Sequence, residues 1–380
     1  MDFNFTKDQI FFREKFIKTI NEIVATHAKR IDKEDTFPFE VFKKMGSLGY
    51  YGIRYPQEIG GMGADCTTFT IFAEELARVS ISFAAIATMQ CLMGTDFLFR
   101  FGTDDIKQRL LLPAIRGEKI GTIAFTEPDC GSDLGAIKTK AVKMGNEYIL
   151  NGRKLWITNA DVADFVTVVA TVDPSKRLNG LAFFLVEKGT QGFYSGQKIE
   201  KMSARGSVTG ELIFDDCRIP ANNLLGEEGK GAKYLENILS EIRIMIAGLG
   251  LGLSRTAFKA GKKYAKEREA FGKPIGNFQL IQDKIAEMET RLKTAWLLTY
   301  YAAWLKDTGQ LAVKEAAMAK FYSTETANFI VDQVTRIFGA YGIAEEYNVE
   351  RYFRDARFLL FGGGTSEILK TIIARESLKK

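Results

Sequence analysis

The stretch KYLENILSEIRIMIAGLGLGLSRTAFKAGKKYAKERE, from Lys233 to Glu269, shows most directly how this chain folds. Its apolar residues recur at the helical spacing and no proline interrupts them, so it predicts one very long helix. Gly248, Gly250 and Gly252 within it indicate either a kink or close packing against another helix. Further long helical segments follow, so residues 229–380 are predicted to form a four-helix bundle.

The two preceding parts of the chain follow different periods. Residues 1–118 keep the helical period, for example in DQIFFREKFIKTINEIVATHAKRI. Residues 119–228 consist of short runs rich in Val, Ile, Phe and Thr, a pattern typical of a small antiparallel barrel or sandwich. Asn151 and Gly152 in LNGRK predict a hairpin turn. The predicted fold is mainly α, with an N-terminal helical domain, a central antiparallel β-barrel and a C-terminal four-helix bundle.

The composition of the 380 residues argues against several classes of protein. The net charge is +5 without a concentrated basic stripe, so nucleic-acid binding is not expected. No apolar run approaches the ~20 residues that span a bilayer, and the N-terminus does not resemble a signal peptide. The four cysteines are far apart, which argues against disulfides or a zinc site. We therefore expect a cytoplasmic protein without a nucleic-acid, membrane or metal partner.

A single histidine, His27, limits the catalytic chemistry. It lies on an early amphipathic helix, far in sequence from every glycine-rich loop, and we interpret it as structural. Histidine-centred triads and His-rich metal sites are therefore not expected. Any catalytic base must be a carboxylate, Lys, Tyr, Cys or a water.

Two motifs of the β-domain indicate a flat, polar ligand. AFTEPDCGSD ends in Gly131 and Ser132, whose amides and hydroxyl are available to a polar group. KLWITNA places Trp156 and Thr158 on one strand face, which suits a heteroaromatic ring, although a core tryptophan explains the pattern equally well. Neither loop precedes a predicted helix, as a nicotinamide-binding fingerprint requires, so a nicotinamide dehydrogenase is poorly supported.

Two motifs of the C-terminal bundle indicate a pyrophosphate. REAFGKPIGNFQ and TRIFGAYGIAEEY each combine an arginine, Arg268 or Arg336, with a Phe-Gly pair and a loop. An arginine beside flexible backbone amides suits a pyrophosphate. A helix C-cap at Gly272 or Gly339 explains each motif singly, but the two together favour a ligand site.

Six motifs spread over almost the whole chain closely resemble, in their order, those of the acyl-CoA dehydrogenases. They are AFTEPDCGSD, KLWITNA, FDDCRIPANNLLGEEGKG, REAFGKPIGNFQ, RIFGAYG and GGGTSEI. The resemblance implies an FAD flavoprotein with the three domains given above, usually a homodimer or homotetramer. It also implies an acyl thioester substrate, on coenzyme A or an acyl carrier protein. The implied electron acceptor is an electron-transfer flavoprotein or oxygen.

The resemblance implies three groups of cofactor contacts. The flavin ring and ribityl region would be contacted by Phe125, Thr126, Gly131, Ser132, Trp156 and Thr158. The FAD of a neighbouring subunit would be reached by Arg268, Phe271, Gln279, Arg336 and Gly339. Thr365 and Glu367 would touch the phosphate end. Arg336 departs from the glutamine that is usual in the family, but it keeps a donor for the pyrophosphate.

The family's reaction removes a proton α to a thioester carbonyl while a hydride leaves the β-carbon for the flavin, so it needs a base. The usual base is a glutamate in the tetrapeptide before the last helix, which is GGGT here, with Gly363 at its position. A second group carries the glutamate directly before Arg243, where this chain has Ile242. Glu241 is the remaining candidate base, although its side chain is turned by ~100° from that of position 242 on a helix. The alternative is that Glu241 is a solvated or arginine-paired helix residue. Ser132, Arg243 and Gly363 are the predicted substrate contacts.

Without a base, the site is still suited to oxidation of an alcohol or an aldehyde hydrate, which needs only hydride loss and an easily lost O–H proton. We therefore expect a carrier-protein-tethered substrate, such as a seryl- or glyceryl-derived unit oxidised toward an amino- or hydroxymalonyl unit. A net positive surface suits an acidic carrier protein. One alternative is an ordinary acyl-CoA dehydrogenase or enoyl-thioester reductase that uses Glu241 or water. Another is a flavin-binding paralogue without catalysis.

Overall fold

The computed structural model describes residues 4–379, which form a helical part, a central sheet and a second helical part. The predicted fold class is confirmed. Among the described residues the α-helices before the first strand are α1 (Lys7–Ile23), α2 (Ala28–Glu34), α3 (Phe39–Ser47), α4 (Cys66–Val79), α5 (Ile81–Thr88), α6 (Asp96–Phe101), α7 (Asp104–Ile106) and α8 (Leu112–Ile115).

Polar side chains explain where several of these helices begin. The Thr6 hydroxyl accepts a hydrogen bond from the N–H of Gln9, and the Gln9 side chain accepts one from the N–H of Thr6, which is a capping box for α1. The side chains of Asp65 and Ser80 likewise each accept a hydrogen bond from the backbone N–H three residues later, and these bonds cap the starts of α4 and α5. These caps are local, so the chain's own sequence sets the helix starts.

The central sheet has seven strands in the order β1-β4-β2-β3-β7-β6, and β5 pairs with the other edge of β4. β1 and β2 run parallel to β4, and the other pairs are antiparallel, so the sheet is mixed and not wholly antiparallel as predicted. The strands are β1 (Gly121–Ala124), β2 (Lys140–Met144), β3 (Glu147–Thr158), β4 (Phe165–Thr171), β5 (Leu181–Glu187), β6 (Phe193–Lys198) and β7 (Thr209–Pro220).

The hairpin turn predicted at Asn151 and Gly152 is wrong, because both residues lie inside β3. The turn between β2 and β3 is at Gly145 and Asn146, and Gly145 has a φ of 62°. Gly152 lies where the pairing of β3 with β7 shifts register. A Cβ at this position would lie 2.4 Å from the hydroxyl of Thr139, so a tertiary contact requires the glycine.

The C-terminal part begins with the predicted long helix, which is confirmed as one helix of 37 residues. A short hairpin and four further helices follow it. The elements are α9 (Gly231–Glu267), β8 (Glu269–Ala270), β9 (Lys273–Pro274), α10 (Gln279–Asp307), α11 (Val313–Phe338), α12 (Val349–Phe358) and α13 (Ser366–Leu378).

The glycines of α9 serve close helix packing. A Cβ at Gly252 would lie 2.0 Å from the carbonyl oxygen of Glu74 on α4. A Cβ at Gly250 would lie 2.6 Å from the hydroxyl of Ser323 on α11. Two helices therefore approach α9 more closely than any larger side chain permits, which fixes α9 at the centre of the molecule.

Two segments, Ile81–Phe101 and α9, are long and apolar enough to cross a membrane by length and composition alone. This differs from our expectation that no segment approaches that length. Their apolar windows are 94% and 83% buried inside the protein, so both segments form its core. A helix buried on all sides is as apolar as a membrane-spanning one, which is why composition does not separate them.

Candidate active site

The two predicted flavin motifs lie side by side in the central sheet. The N–H of Leu155 donates a hydrogen bond of 2.9 Å to the carbonyl oxygen of Thr126. The ammonium of Lys154 donates one of 2.9 Å to the carbonyl oxygen of Phe125. These bonds hold the loop after β1 against β3, so Phe125, Thr126 and Trp156 lie on adjoining segments.

A buried ion pair supports this loop. Lys154 donates at 2.8 Å to the carboxylate of Glu127, which also accepts hydrogen bonds from the N–H groups of Lys138 and Thr139. Burial alone would raise the pKa of Glu127, but the charge of Lys154 and these hydrogen bonds hold it below its usual value. Burial lowers the pKa of Lys154 to about 8. Glu127 is therefore occupied in holding the loop.

The strand carries an aromatic ring that faces solvent. Trp156 has a φ of 63° at an irregularity in the pairing of β3 with β7, and 56% of its surface is exposed. Gly131 and Ser132 are exposed and Thr158 is half-buried. Asn159 is fully buried, yet neither polar atom of its side chain has a hydrogen-bond partner within residues 4–379. A free ring face beside hydroxyls and an unsatisfied amide fits the flavin of FAD.

The loop after α9 and the turn after α11 adjoin each other. The guanidinium of Arg268 lies 5.9 Å from the ring centroid of Tyr341. Phe271 is almost completely exposed, with a φ of 51°, and Gln279 is exposed at the first position of α10. An exposed cation beside an exposed aromatic ring fits an anionic ligand with an aromatic part, as the prediction of a neighbour's FAD requires.

The other predicted phosphate contacts lie at two helix ends. Arg336 is exposed in the last turn of α11 and pairs with Asp332 at 2.8 Å, and Gly339 follows with a φ of 61°. Thr365 caps α13 by accepting a hydrogen bond from the N–H of Ile368, and Glu367 is exposed in the first turn. Arg336 and Thr365 each have a local partner in this structure, and their contacts with FAD stay predictions.

Two cations hold the glycine loop between α12 and α13. Lys320 on α11 donates hydrogen bonds to the carbonyl oxygens of Leu360 and Gly364, at 3.0 and 2.7 Å. Arg243 on α9 donates from Nε to the carbonyl oxygen of Gly363 at 3.2 Å. Three carbonyl groups of the loop thus point toward two buried side chains. The backbone of the loop is therefore positioned without any side chain of its own.

The surroundings of Gly363 are apolar apart from Arg243. The nearest atoms to a Cβ built at Gly363 belong to Ile246, Ile242 and Arg243, at 3.0, 3.5 and 3.7 Å. Gly363 has a φ of 69°, which disfavours larger residues. In the part of the chain that the structure describes, the N–H of Gly363 donates no hydrogen bond, so it is available to a ligand carbonyl.

The geometry does not support Glu241 as the base. Its carboxylate pairs with the guanidinium of Arg54 and lies 3.5 Å from Arg100 and 3.7 Å from Lys306. These cations belong to the N-terminal domain and α10, whereas Ile242, Arg243 and Ile246 are the residues of α9 that face Gly363. Because Glu241 lies one residue before Ile242 on the helix, its side chain points toward these three cations and not toward Gly363.

Lys320 was missed by our sequence analysis. It lies in the segment VKEAAMAKFYSTETA, where it is the one basic residue on a helix face of buried alanines and serines. A lysine on such a face has to find acceptors in the interior, and that pattern is the signal that would have pointed to it.

Three family models match consecutive parts of the chain. They are described as acyl-CoA dehydrogenase, N-terminal domain, at residues 6–118, middle domain at 122–217, and C-terminal domain at 229–378. Among curated proteins, benzylmalonyl-CoA dehydrogenase of Aromatoleum aromaticum is 46% identical over 99% of both chains. Acryloyl-CoA reductase (NADH) of Anaerotignum propionicum is 40% identical over 100% of this chain and 97% of its own length.

Solved structures match over the full length as well. A chain from work on the electron transferring flavoprotein of Acidaminococcus fermentans superposes with a TM-score of 0.96, at 37% identity and 100% coverage of both chains. The prolyl acyl carrier protein oxidase AnaB superposes with a TM-score of 0.95, at 33% identity, over 99% of this chain and 100% of its own.

Proposed function

The chain belongs to the acyl-CoA dehydrogenase family and is an FAD-dependent oxidoreductase, and we propose that it acts on an acyl thioester whose α-carbon carries a carboxylate. Loss of carbon dioxide from that carbon makes a base for the α-proton unnecessary. The observation that carries the proposal is Gly363, which has isoleucines and an arginine around it where the family's reaction needs a carboxylate.

The proposed reaction balances without a proton acceptor at the α-carbon. The bond between the α-carbon and the carboxylate breaks, and its electron pair becomes the second bond between the α- and β-carbons. The β-carbon loses a hydride, and carbon dioxide and an α,β-unsaturated thioester are the products. Bound FAD supplies the two-electron oxidising power by accepting that hydride. The negative charge of the carboxylate leaves with the hydride.

The chain's own residues then have three tasks. The N–H of Gly363 is available to donate a hydrogen bond to the thioester carbonyl oxygen, where charge develops as the bond breaks. Ile242 and Ile246 keep water from the space beside it. Arg243 and Lys320 hold the loop by its carbonyl groups, so the Gly363 amide is oriented before the substrate arrives.

The name of one relative supports the same substrate class. Benzylmalonyl-CoA dehydrogenase, 46% identical over 99% of this chain, acts by its name on a malonyl thioester. A substituted malonyl thioester carries its carboxylate on the carbon next to the thioester carbonyl, which is the position that the proposed reaction requires.

A substrate panel tests the proposal. Under anaerobic conditions, benzylmalonyl-CoA is expected to bleach the flavin band of the purified protein and to release carbon dioxide in equal amount. 3-Phenylpropionyl-CoA, the same acyl group without the carboxylate, is the matched control and is expected to leave the flavin oxidised. Reduction by both thioesters at similar rates would contradict the proposal, because it would require a base for the α-proton.

A carrier-protein substrate is the second candidate, and one observation favours it. AnaB, which superposes with a TM-score of 0.95, is by its title a prolyl acyl carrier protein oxidase. The seryl- or glyceryl-derived units considered above are also oxidised without loss of an α-proton. Bleaching of the flavin by such a unit on a carrier protein, with none by any coenzyme A thioester, would favour this candidate.

The electron acceptor is also part of the proposal. A chain from work on an electron transferring flavoprotein matches this chain over its full length. We propose such a flavoprotein as the acceptor, with oxygen as the alternative. An enoyl-thioester reductase would run the electrons in the opposite direction, and acryloyl-CoA reductase is the relative whose name favours it. Oxidation of the dithionite-reduced protein by acryloyl-CoA would identify that activity.

A further inference from the structure

The long helix presents a buried guanidinium to the glycine loop without a carboxylate to pair with it. Only 7% of Arg243 is exposed, and its Nε donates to the carbonyl oxygen of Gly363. Within residues 4–379, Arg243 forms no salt bridge, whereas Arg54 and Arg255 each pair with two carboxylates. The terminal nitrogens of Arg243 therefore remain free to bind an anion.

A second buried cation increases the need for negative charge at this loop. Lys320 is fully buried, and its hydrogen-bond acceptors there are the backbone carbonyls of Leu360 and Gly364. Burial lowers the pKa of Lys320 to about 8; the charge of Glu325 opposes this effect and the charge of Arg243 adds to it. Burial, together with the charge of Arg375, lowers the pKa of Arg243 to about 10. A bound anion would offset this unfavourable accumulation of positive charge.

We propose that Arg243 binds the carboxylate on the α-carbon of the substrate, next to the backbone of Gly363 and the side chains of Ile242 and Ile246. The inference rests on the proposed function, because it assigns a protein partner to the carboxylate of that substrate. A guanidinium binds a carboxylate with two parallel hydrogen bonds, which fixes its orientation. The substrate thus brings the carboxylate that the chain lacks at position 363.

The pairing also has a consequence for the bond that breaks. Arg243 interacts with the charged carboxylate before the reaction, and the neutral carbon dioxide that forms has no charge to hold it there. The isoleucine side chains on the other side favour the neutral product over the ion. Arg243 is therefore a residue for selecting and orienting the substrate, and the departure of carbon dioxide from the site is not opposed by an ion pair.

Binding of two unreactive thioesters tests this inference separately from turnover. Malonyl-CoA carries the carboxylate but lacks the β-carbon that would lose a hydride, and acetyl-CoA is the matched thioester without the carboxylate. Calorimetric titration of the FAD-loaded protein is expected to show tighter binding of malonyl-CoA by about tenfold or more, as a charge-assisted hydrogen-bonded pair provides. Equal affinity for the two thioesters would overturn the inference.

Variants of Arg243 separate substrate binding from support of the loop. Arg243→Gln is expected to abolish the preference for malonyl-CoA, and Arg243→Lys is expected to retain part of it, since the charge stays but the paired donors are lost. Arg291→Gln, at a half-buried arginine on α10 that pairs with Glu287, is the matched control and should keep the full preference. Equal weakening of both thioesters in Arg243→Gln would assign Arg243 to the loop alone and overturn the inference.

If Arg243→Gln does not fold, the inference is tested by comparing the preference for malonyl-CoA between the unmodified protein and Arg243→Lys. An undiminished preference for malonyl-CoA in Arg243→Lys would overturn the assignment to a paired guanidinium. Failure of this inference can be told apart from failure of the proposed function. The proposed function stands if benzylmalonyl-CoA bleaches the flavin with release of carbon dioxide, even when the affinities for malonyl-CoA and acetyl-CoA are equal. If benzylmalonyl-CoA leaves the flavin oxidised, the proposed function fails whatever the affinities show.

Discussion

At the scale of single residues, the proposed reaction depends on Gly363. Its backbone N–H remains available to a ligand, but it has no side chain to accept a proton. In the proposed reaction, the electron pair that forms the new double bond comes from a bond other than the α C–H bond. A bond to a carboxylate meets that requirement, because carbon dioxide leaves as a stable neutral molecule.

Restoring a carboxylate at this position should restore the ordinary reaction in part. Gly363→Glu is expected to show slow flavin reduction by 3-phenylpropionyl-CoA, at a cost of about 1 kcal/mol or more because φ is 69°. The tip of Ile246, 3.0 Å from the added Cβ, has to move. Gly363→Gln has the same size without the base and should remain inactive. Equal rates for the two variants would refute this reasoning.

Glu241 should prove to be a stabilising residue and not a catalytic one. Glu241→Gln leaves Arg54, Arg100 and Lys306 with less negative charge, and we expect a loss of about 1–3 kcal/mol in the free energy of unfolding. Chemical denaturation measures this loss, and the rate of flavin reduction by benzylmalonyl-CoA should change little. A large fall in that rate with unchanged stability would reinstate Glu241 as the base.

At the scale of elements, the sequence was sufficient for what depends on neighbouring residues and insufficient for what depends on distant ones. The periodicity of α9 predicted its length, and helical rotation predicted that Glu241 is turned away from position 242. Its partners Arg54 and Lys306 come from parts of the chain that only folding brings together. The misassigned turn at Gly152 has the same cause, since its contact with Thr139 is tertiary.

The stability that Lys320 provides by linking α11 to the glycine loop should depend on pH. The pKa of Lys320 is about 8 in the folded chain and 10.5 ordinarily, so between these values the unfolded chain binds more protons. The contribution of Lys320 to the free energy of unfolding should therefore rise as the pH increases through this window. Lys320→Met lacks this titration. We expect chemical denaturation to show that the unmodified protein gains stability relative to Lys320→Met between pH 8 and pH 10.5. A stability difference that stays constant over this range would contradict the assignment.

At the scale of the whole molecule, three parts of the chain contribute to one predicted cofactor site. The motifs of the central sheet and the glycine loop were readable from the sequence because they are contiguous. The arrangement of Arg268 beside Tyr341 was not, since it joins two loops. What these exposed residues contact in an assembly follows from the family resemblance and remains a prediction.

The molecule should form a homodimer or homotetramer in which these loops complete a neighbour's site. Phe271 and Leu280 are 95% and 80% exposed, which is costly for a monomer in water. Light scattering coupled to size exclusion should show the oligomer, and Arg268→Glu should lower FAD retention by charge repulsion with the pyrophosphate. A stable monomer that retains FAD would show that Arg268 does not serve a neighbouring subunit.

Exchange of the α-proton tests most directly whether the site lacks a base. The FAD-loaded protein is incubated with 3-phenylpropionyl-CoA in deuterium oxide, and deuterium at the α-carbon is followed by mass spectrometry. We predict no incorporation above that in buffer for the unmodified protein and for Gly363→Gln, and measurable incorporation for Gly363→Glu. Incorporation by the unmodified protein would show that a base reaches the α-carbon and would contradict the account.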